Sequence, residues 1–255
     1  YKFFIDMKKK PKISVIIPYY KKRNYIKKTL TSVFNQSFKN FEILLIYDDQ
    51  DLSDLHFIKK NFKSVKLRII INKSNIGAGY SRNVAIKVSL GKYIAFLDAD
   101  DYWHKDKLSL QLNFMEKNFC EISHTDYTIV ANSKRQKRIA KKLSFNEIIK
   151  SCDIGLSTVM LKKNILKKKL FPNLRTKEDY VLWLKILKSG INIYPINKNL
   201  TYWRESENSL SSNLFQKMKD GYSVYRHYLK QSSWQSLISL LTLSFYFIKK
   251  KNFND

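Results

Sequence analysis

Gly91-Lys92-Tyr93-Ile94-Ala95-Phe96-Leu97-Asp98-Ala99-Asp100-Asp101 is the stretch on which the reading of the fold turns. Its apolar run, 93–97, has the length and composition of a strand buried on both faces, and it breaks at once into acidic residues. Similar runs occur upstream. Residues 13–17 are apolar and end at Pro18, residues 42–47 end at Asp48-Asp49, and 67–71 form a third run. Between them lie helical spacings. Asn24 is placed to cap a helix carrying Ile26, Leu30, Val33 and Phe34, and a short helix carries Leu55, Ile58 and Phe62. Another spans about 81–89 behind Gly77 and Gly79. Strands alternating with helices predict βαβ units and a largely parallel sheet. Ligands of such sheets bind outside the carboxyl ends of the strands. The polar residues just past each strand are therefore the candidates for chemistry.

Those residues are acidic and aromatic: Pro18-Tyr19-Tyr20, Asp48-Asp49 and Asp98-Ala99-Asp100-Asp101. Five carboxylates on one rim repel one another unless a cation holds them, and oxygen-only ligation suits Mg²⁺ or Mn²⁺ gripping a diphosphate. An aromatic ring offers a face for a nucleobase. The plainer alternative for both acidic clusters is a turn, with helix-cap duty for the second.

Downstream the pattern is mixed. A helix is expected over about 106–118, a strand over 122–131, and a loop or edge strand over the basic segment 133–142. Ser144 with Glu147 forms a capping box opening a helix to Ser151. Residues 156–161 read as a strand, and 176–189 as an apolar helix ended by Gly190. Short strands are expected around Ile193 and Tyr202, then a polar break near 209–213 and an aromatic helical tail over about 215–251.

Within 176–189, Thr176-x-x-Asp179 fits a capping box, which would make Asp179 a cap. Yet periodicity puts Asp179 on one stripe with Leu182, Trp183 and Ile186, the buried face. His56, His104, His124 and His227 have no ligand spacing.

The 255 residues, 44% hydrophobic, suffice for one large domain with an appendage. Lys and Arg number 48 against 21 Asp and Glu, a net charge of +27 that suits a polyanionic neighbour or reflects biased composition. Cys120 and Cys152 lack metal-ligand spacing, as expected of a reducing cytoplasm. The first ten residues do not read as a signal peptide, and no apolar run reaches the roughly 20 residues needed to cross a bilayer. Residues 237–248 are apolar and run into Lys249-Lys250-Lys251, a pattern that lies in a membrane interface or docks on the domain.

Three blocks resemble the family 2 glycosyltransferases: residues 13–20; Asn75-x-Gly77-x-x-x-Ser81-Arg82-Asn83-x-Ala85-Ile86; and the opening stretch 91–101, the most specific of them. Later segments, 155–160 and Glu178-Asp179-x-x-Leu182-Trp183-Leu184-Lys185, resemble members that build bacterial surface polysaccharides of the teichuronic-acid or lipopolysaccharide type. The likeness covers about 11–213, leaving 214–255 as a helical tail. It implies an α/β GT-A fold, with a Rossmann-like donor-nucleotide half (11–105) whose sheet is mostly parallel and a mixed acceptor half (106–213).

The resemblance also implies roles. Asp100 matches the metal ligand of an Asp-x-Asp motif, holding Mn²⁺ or Mg²⁺, and Asp98 with Ala99 lies on the donor. Pro18 and Tyr20 match the base-packing segment and Asp49 the carboxylate that reads the base edge, while Arg82 stands where a cation approaches the diphosphate. Asp179 matches the general base. Glu178, Trp183 and Arg204 are candidates around the acceptor or leaving group. The family usually continues Asp-Asp-Gly-Ser after the second strand, where this chain has Gln50-Asp51, and Lys21 stands where Asn is common. The implied activity is metal-dependent, inverting transfer from a nucleoside-diphosphate-sugar, expected to be a UDP-sugar, to a saccharide or lipid-linked saccharide. It would take place in the cytoplasm or against the inner face of an anionic membrane, with no nucleic acid as partner. A base of ordinary aspartate pKa suffices for that chemistry. Two rivals are a sugar-phosphate nucleotidyltransferase, whose Gly-rich phosphate loop is missing after strand one, and a basic nucleic-acid-binding protein, for which no motif is present.

Overall fold

The computed structural model describes residues 10–131, 134–167, 170–205 and 214–252. Four parallel strands come first: β1 (Ile13–Tyr19), β2 (Phe41–Tyr47), β3 (Leu67–Ile71) and β4 (Tyr93–Phe96), in the spatial order 3-2-1-4. Helices α1 (Arg23–Phe34), α2 (Ser53–Asn61) and α3 (Ala78–Val88) make the crossovers. The short apolar runs become strands because both faces are covered. Val15, Ile17, Leu45 and Ala95 meet Ile26, Leu30 and Leu55, whereas Ile16, Leu44, Ile46 and Phe96 meet Ala85 and Ile86 of α3.

The sheet continues past β4 with mixed direction. β8 (Met160–Lys162) is antiparallel to β4 and to β6 (Ile122–Ala131), and β9 (Tyr194–Arg204) runs parallel to β6. β5 (Tyr102–Trp103) pairs with β9, and β7 (Lys134–Arg138) is the edge strand beside β6. α4 (Lys107–Lys117), α5 (Phe145–Ile148) and α6 (Glu178–Lys188) cover this half. The tail folds as α7 (Leu214–Ser223), a wide turn over Val224–Tyr228, and α8 (Ser233–Asn252). Val224, Tyr225, Leu240 and Leu243 of the tail share a core with Tyr180 and Trp183 of α6.

Several expectations are corrected. Helix α1 is preceded by Lys22, with no side-chain cap bond, so Asn24 lies inside the first turn. Residues 156–161 are a short 3₁₀ turn, Leu156–Thr158, followed by β8. The two strands expected near Ile193 and Tyr202 are one 11-residue strand, with register shifts against β6 between Thr125 and Tyr127. The Ser144–Glu147 capping box is present, on a helix shorter than expected. The polar break near 209–213 lies outside the described residues.

Candidate active site

The site begins with backbone placement. A Cβ on Gly91 would meet the Ser14 amide nitrogen at 2.5 Å, so only glycine lets the chain enter β4 this close to β1. The Ser14 hydroxyl accepts the Gly91 amide at 2.9 Å and donates to Glu42 at 2.7 Å. β4 then ends in the acidic turn beside the ends of β1 and β2. Asp48, at the end of β2, is spent on structure. It accepts the amides of Ile76 and Gly77 and the Asn72 side chain, which shapes the loop that starts α3. Asn75 donates to its carbonyl.

Each acid of the 98–101 turn has a partner. Asp101 is wholly buried; the Ser157 hydroxyl donates to it at 2.6 Å and the Arg204 amide at 3.0 Å. Burial, reinforced by the neighbouring Asp100 and Asp98, pushes its carboxyl well above the usual range. Asp100 forms an ion pair with Lys22 at 2.8 Å, and Asp98 with Arg82 at 2.6 Å. The repulsion expected on this rim is thus relieved from within the chain. The Thr29 hydroxyl bonds the carbonyls of Ala99 and Asp101, pinning the turn to α1.

Arg82 was expected to approach a diphosphate. It is only 3% exposed and bridges two carboxylates, Asp98 and Glu178, the latter at 2.7 Å. Burial disfavours its charge, but the two carboxylates outweigh that and keep it a cation. A diphosphate would have to displace Asp98 to reach it, so its position is that of a tie between the acidic turn and α6. Gly79 makes the tie reachable, because α3 passes so close that a Cβ there would lie 3.1 Å from Glu178 Cγ. Arg204 is a second bolt. Its side chain donates to the carbonyls of Asp100 and Tyr25 and to the Thr29 hydroxyl, and its guanidinium lies over Tyr25 and Tyr102. These bonds give it a place in the architecture of the turn, beside the acceptor or leaving-group contact expected of it.

At the start of α6 the expected capping box does not form. Lys177 precedes the helix in the left-handed region at φ 62°, without a side-chain cap. Thr176 instead gives its amide and hydroxyl to Asp220 of α7, both at 2.9 Å. Asp179 accepts the amide of Tyr180 at 2.7 Å. Burial raises its pKa against the pull of Arg82, so its basicity is above the ordinary aspartate level expected from sequence. Burial likewise raises Glu178, despite Arg82. Trp183 is fully buried in the core and has no surface to offer an acceptor, so that expectation is withdrawn.

On the donor side, Tyr20 follows β1 and is 40% exposed, a ring open to stacking. Pro18, one residue from the end of β1, is buried opposite Ile46. Lys21 adopts φ 49°, a left-handed conformation that Asn accepts more readily than Lys. Asp49 is buried and accepts the Asp51 amide, and Asp51 accepts that of Ser53, so Gln50-Asp51 closes the loop by successive Asx contacts. Sequence reasoning missed Lys22, Ser157, Thr29 and Asp220. Ser157 lay inside a quoted block, whereas the others become visible only when distant segments meet.

The chain can be set against known proteins. Residues 14–175 match the model for Glycosyl transferase family 2. The putative teichuronic acid biosynthesis glycosyltransferase TuaG of Bacillus subtilis is 34% identical over 236 residues, covering 88% of this chain and 93% of TuaG. The Escherichia coli UDP-Glc:alpha-D-GlcNAc-diphosphoundecaprenol beta-1,3-glucosyltransferase WfgD is 35% identical over 216 residues, covering 83% and 84%. Among solved structures, S. aureus TarS 1–349 in complex with UDP-GlcNAc superposes with a TM-score of 0.74 at 25% identity, over 91% of this chain and 71% of that one. The chain belongs to glycosyl transferase family 2, and it is a glycosyltransferase with the GT-A fold.

Proposed function

We propose that this glycosyltransferase moves a sugar from a UDP-sugar to a hydroxyl of a lipid-linked saccharide in bacterial surface-polysaccharide synthesis, inverting the anomeric carbon. The observation that carries the reading is the single tie, Arg82, between the Asp98 turn and the helix that starts with Glu178-Asp179. It holds the turn proposed to bind the donor and a half-buried carboxylate of raised basicity in fixed relation. The UDP-GlcNAc of TarS supports the donor class, and the diphosphoundecaprenol substrate of WfgD supports the acceptor class.

In this scheme Tyr20 stacks on the base and Asp49 reads its edge. Asp179 takes the proton from the acceptor hydroxyl as that oxygen bonds to the anomeric carbon. The bond from that carbon to the diphosphate oxygen breaks, and the electron pair leaves with the diphosphate. Displacement from the opposite face inverts the centre.

A divalent ion fits the residues. Asp100 already holds a cation, the Lys22 ammonium, and no group of three or more His, Cys, Asp or Glu side chains could cage a metal among the described residues. That donor set suits Mg²⁺ or Mn²⁺ shared between one or two carboxylates and a substrate diphosphate. Asp100, with Asp98 beside it, would hold the ion, which supplies countercharge to the leaving diphosphate. Among the described residues no helix is long and apolar enough to cross a membrane. A lipid-linked acceptor of the kind in WfgD would be membrane-borne, and we assign the reaction to the cytoplasmic face of that membrane.

Calorimetry of UDP binding with and without Mn²⁺ tests the donor half. Mn²⁺ is expected to strengthen binding to the wild type, and Asp100→Ala to lose most of that gain while keeping its melting temperature. Equal Mn²⁺-dependent affinity in both proteins would overturn the assignment.

A further inference from the structure

We propose that the outward face of α8 is a docking surface for an anionic lipid bilayer. The helix has two apolar faces. Ser236, Leu240 and Leu243 are buried against the domain, and a Cβ on Gly221 would lie 2.8 Å from Leu240 Cδ1, so α7 and α8 are in close contact. On the opposite side Trp234, Leu237, Ile238, Leu241, Phe245 and Ile248 are all exposed, Trp234 by 77%. At about 100° per residue these six fall within one arc of about 100°, and from Trp234 to Ile248 the stripe extends about 21 Å. Gln235, Thr242 and Ser239 border it on one side and Ser244 on the other. A continuous apolar stripe of that length on a docked helix has no role in the domain's own core.

Charge selects the occupant. No acidic residue occurs on α8, the exposed Arg226 and Lys230 precede it, and the exposed Lys249 begins a Lys-Lys-Lys run at its end. The chain as a whole carries +27. A second copy would bring the same cations against this stripe, whereas an anionic surface complements them. Apolar residues including Trp and Phe, flanked by Lys and Arg, suit the interfacial depth of a bilayer. The tail is also bound to the reacting end of the molecule. Asp220 on α7 holds Thr176, three residues before Asp179, so a docked α8 fixes the base helix relative to the lipid surface.

The test is flotation of the full chain with vesicles of phosphatidylglycerol and phosphatidylcholine, beside vesicles of phosphatidylcholine alone. The wild type should float with the anionic vesicles in a salt-sensitive way. The triple variant Ile238→Ser/Leu241→Ser/Phe245→Ser should bind at least about tenfold more weakly, while its melting temperature and its hydrolysis of donor stay unchanged. Brominated lipid should quench the emission of the wild type and not that of Trp234→Phe, a readout independent of the triple variant's folding. Undiminished flotation of a folded triple variant would overturn the proposal. So would a wild type that is dimeric by light scattering and does not float, which would assign the stripe to a second copy.

Discussion

The acidic turn after β4 and the turn that opens α6 both present carboxylates to the same site, but they are held in opposite ways. In the first, two charges are matched locally, Asp98 by Arg82 and Asp100 by Lys22, and Asp101 accepts hydrogen bonds from Ser157 and Arg204. In the second, Asp179 has the amide of Tyr180 as its hydrogen-bond donor, and the turn before it is held from the tail by Asp220. Matching suits a turn that must receive an anionic diphosphate and exchange one cation for another. Burial raises the proton affinity of Asp179 as it does that of Asp101, but Asp101 is enclosed by Ser157 and Arg204, whereas the sparser partnering of Asp179 suits a base. In the proposed scheme the two turns divide binding from proton transfer.

The largest expected effect tests the second turn. Asp179→Asn keeps an oxygen to accept the Tyr180 amide but removes the basic carboxylate. A positioned general base is typically worth ~10²–10⁴ in rate, so transfer should fall by that factor, with UDP affinity and melting temperature unchanged. In the wild type the acid limb of the transfer rate should lie above the ordinary aspartate value of 3.8, since the base works only when deprotonated and its pKa is raised. A variant that keeps most of its transfer rate would return Asp179 to a structural role.

The first turn is tested through its tie to α6. Arg82→Met leaves Asp98 and the largely buried Glu178 without their shared cation, and breaking a buried pair from one side costs about 3–5 kcal/mol. For a domain of this size that corresponds to a melting temperature lower by roughly 10 °C. Adding Glu178→Gln should restore part of the loss, because it removes one of the two stranded charges. If the single variant melts like the wild type, Arg82 is not the link between the turns that the geometry makes it.

Much of this comparison was legible in the sequence. The strands of the donor half read correctly because short apolar runs between helical spacings have few other solutions, and the acids past β4 stood out by their density. Asp179 was placed on a buried stripe by period alone. The rest depended on tertiary contacts. β9 carries Pro195, Asn197 and Asn199, which divide its pattern into two apparent strands, although pairing with β6 holds it together across a bulge. The capping box at Thr176 is sound local chemistry that loses to Asp220, 44 residues away. Lys22 is unremarkable in a chain with 48 basic residues until its partner, Asp100, is seen.

A second buried cation sharpens the contrast, because among the described residues no carboxylate pairs with it. Lys107, wholly buried at the start of α4, donates to Gln111 Oε1 at 2.6 Å and lies 4.3 Å over the ring of Trp103, behind the acidic turn. Trp103 in turn donates to the carbonyl of Ser157, the residue that bonds Asp101. Burial pushes the Lys107 ammonium down from 10.5 to about 7. Between those two values the unfolded chain binds a proton that the folded chain does not. Stability should therefore rise with pH across this window, by at most about 1.4 kcal/mol per pH unit, and the penalty of burying the amine is fully present below pH 7. Lys107→Met removes the titrating group and should flatten this slope. It also deprives Gln111 of a donor, a loss of about 1 kcal/mol that does not change with pH. The slope, and not the absolute stability at one pH, is accordingly the quantity to compare. Denaturant midpoints of the two proteins at pH 7.5 and pH 9.5 provide it. Parallel profiles would mean that Lys107 stays charged in the fold, held by Gln111 and the Trp103 ring, and that a buried cation here needs no carboxylate after all.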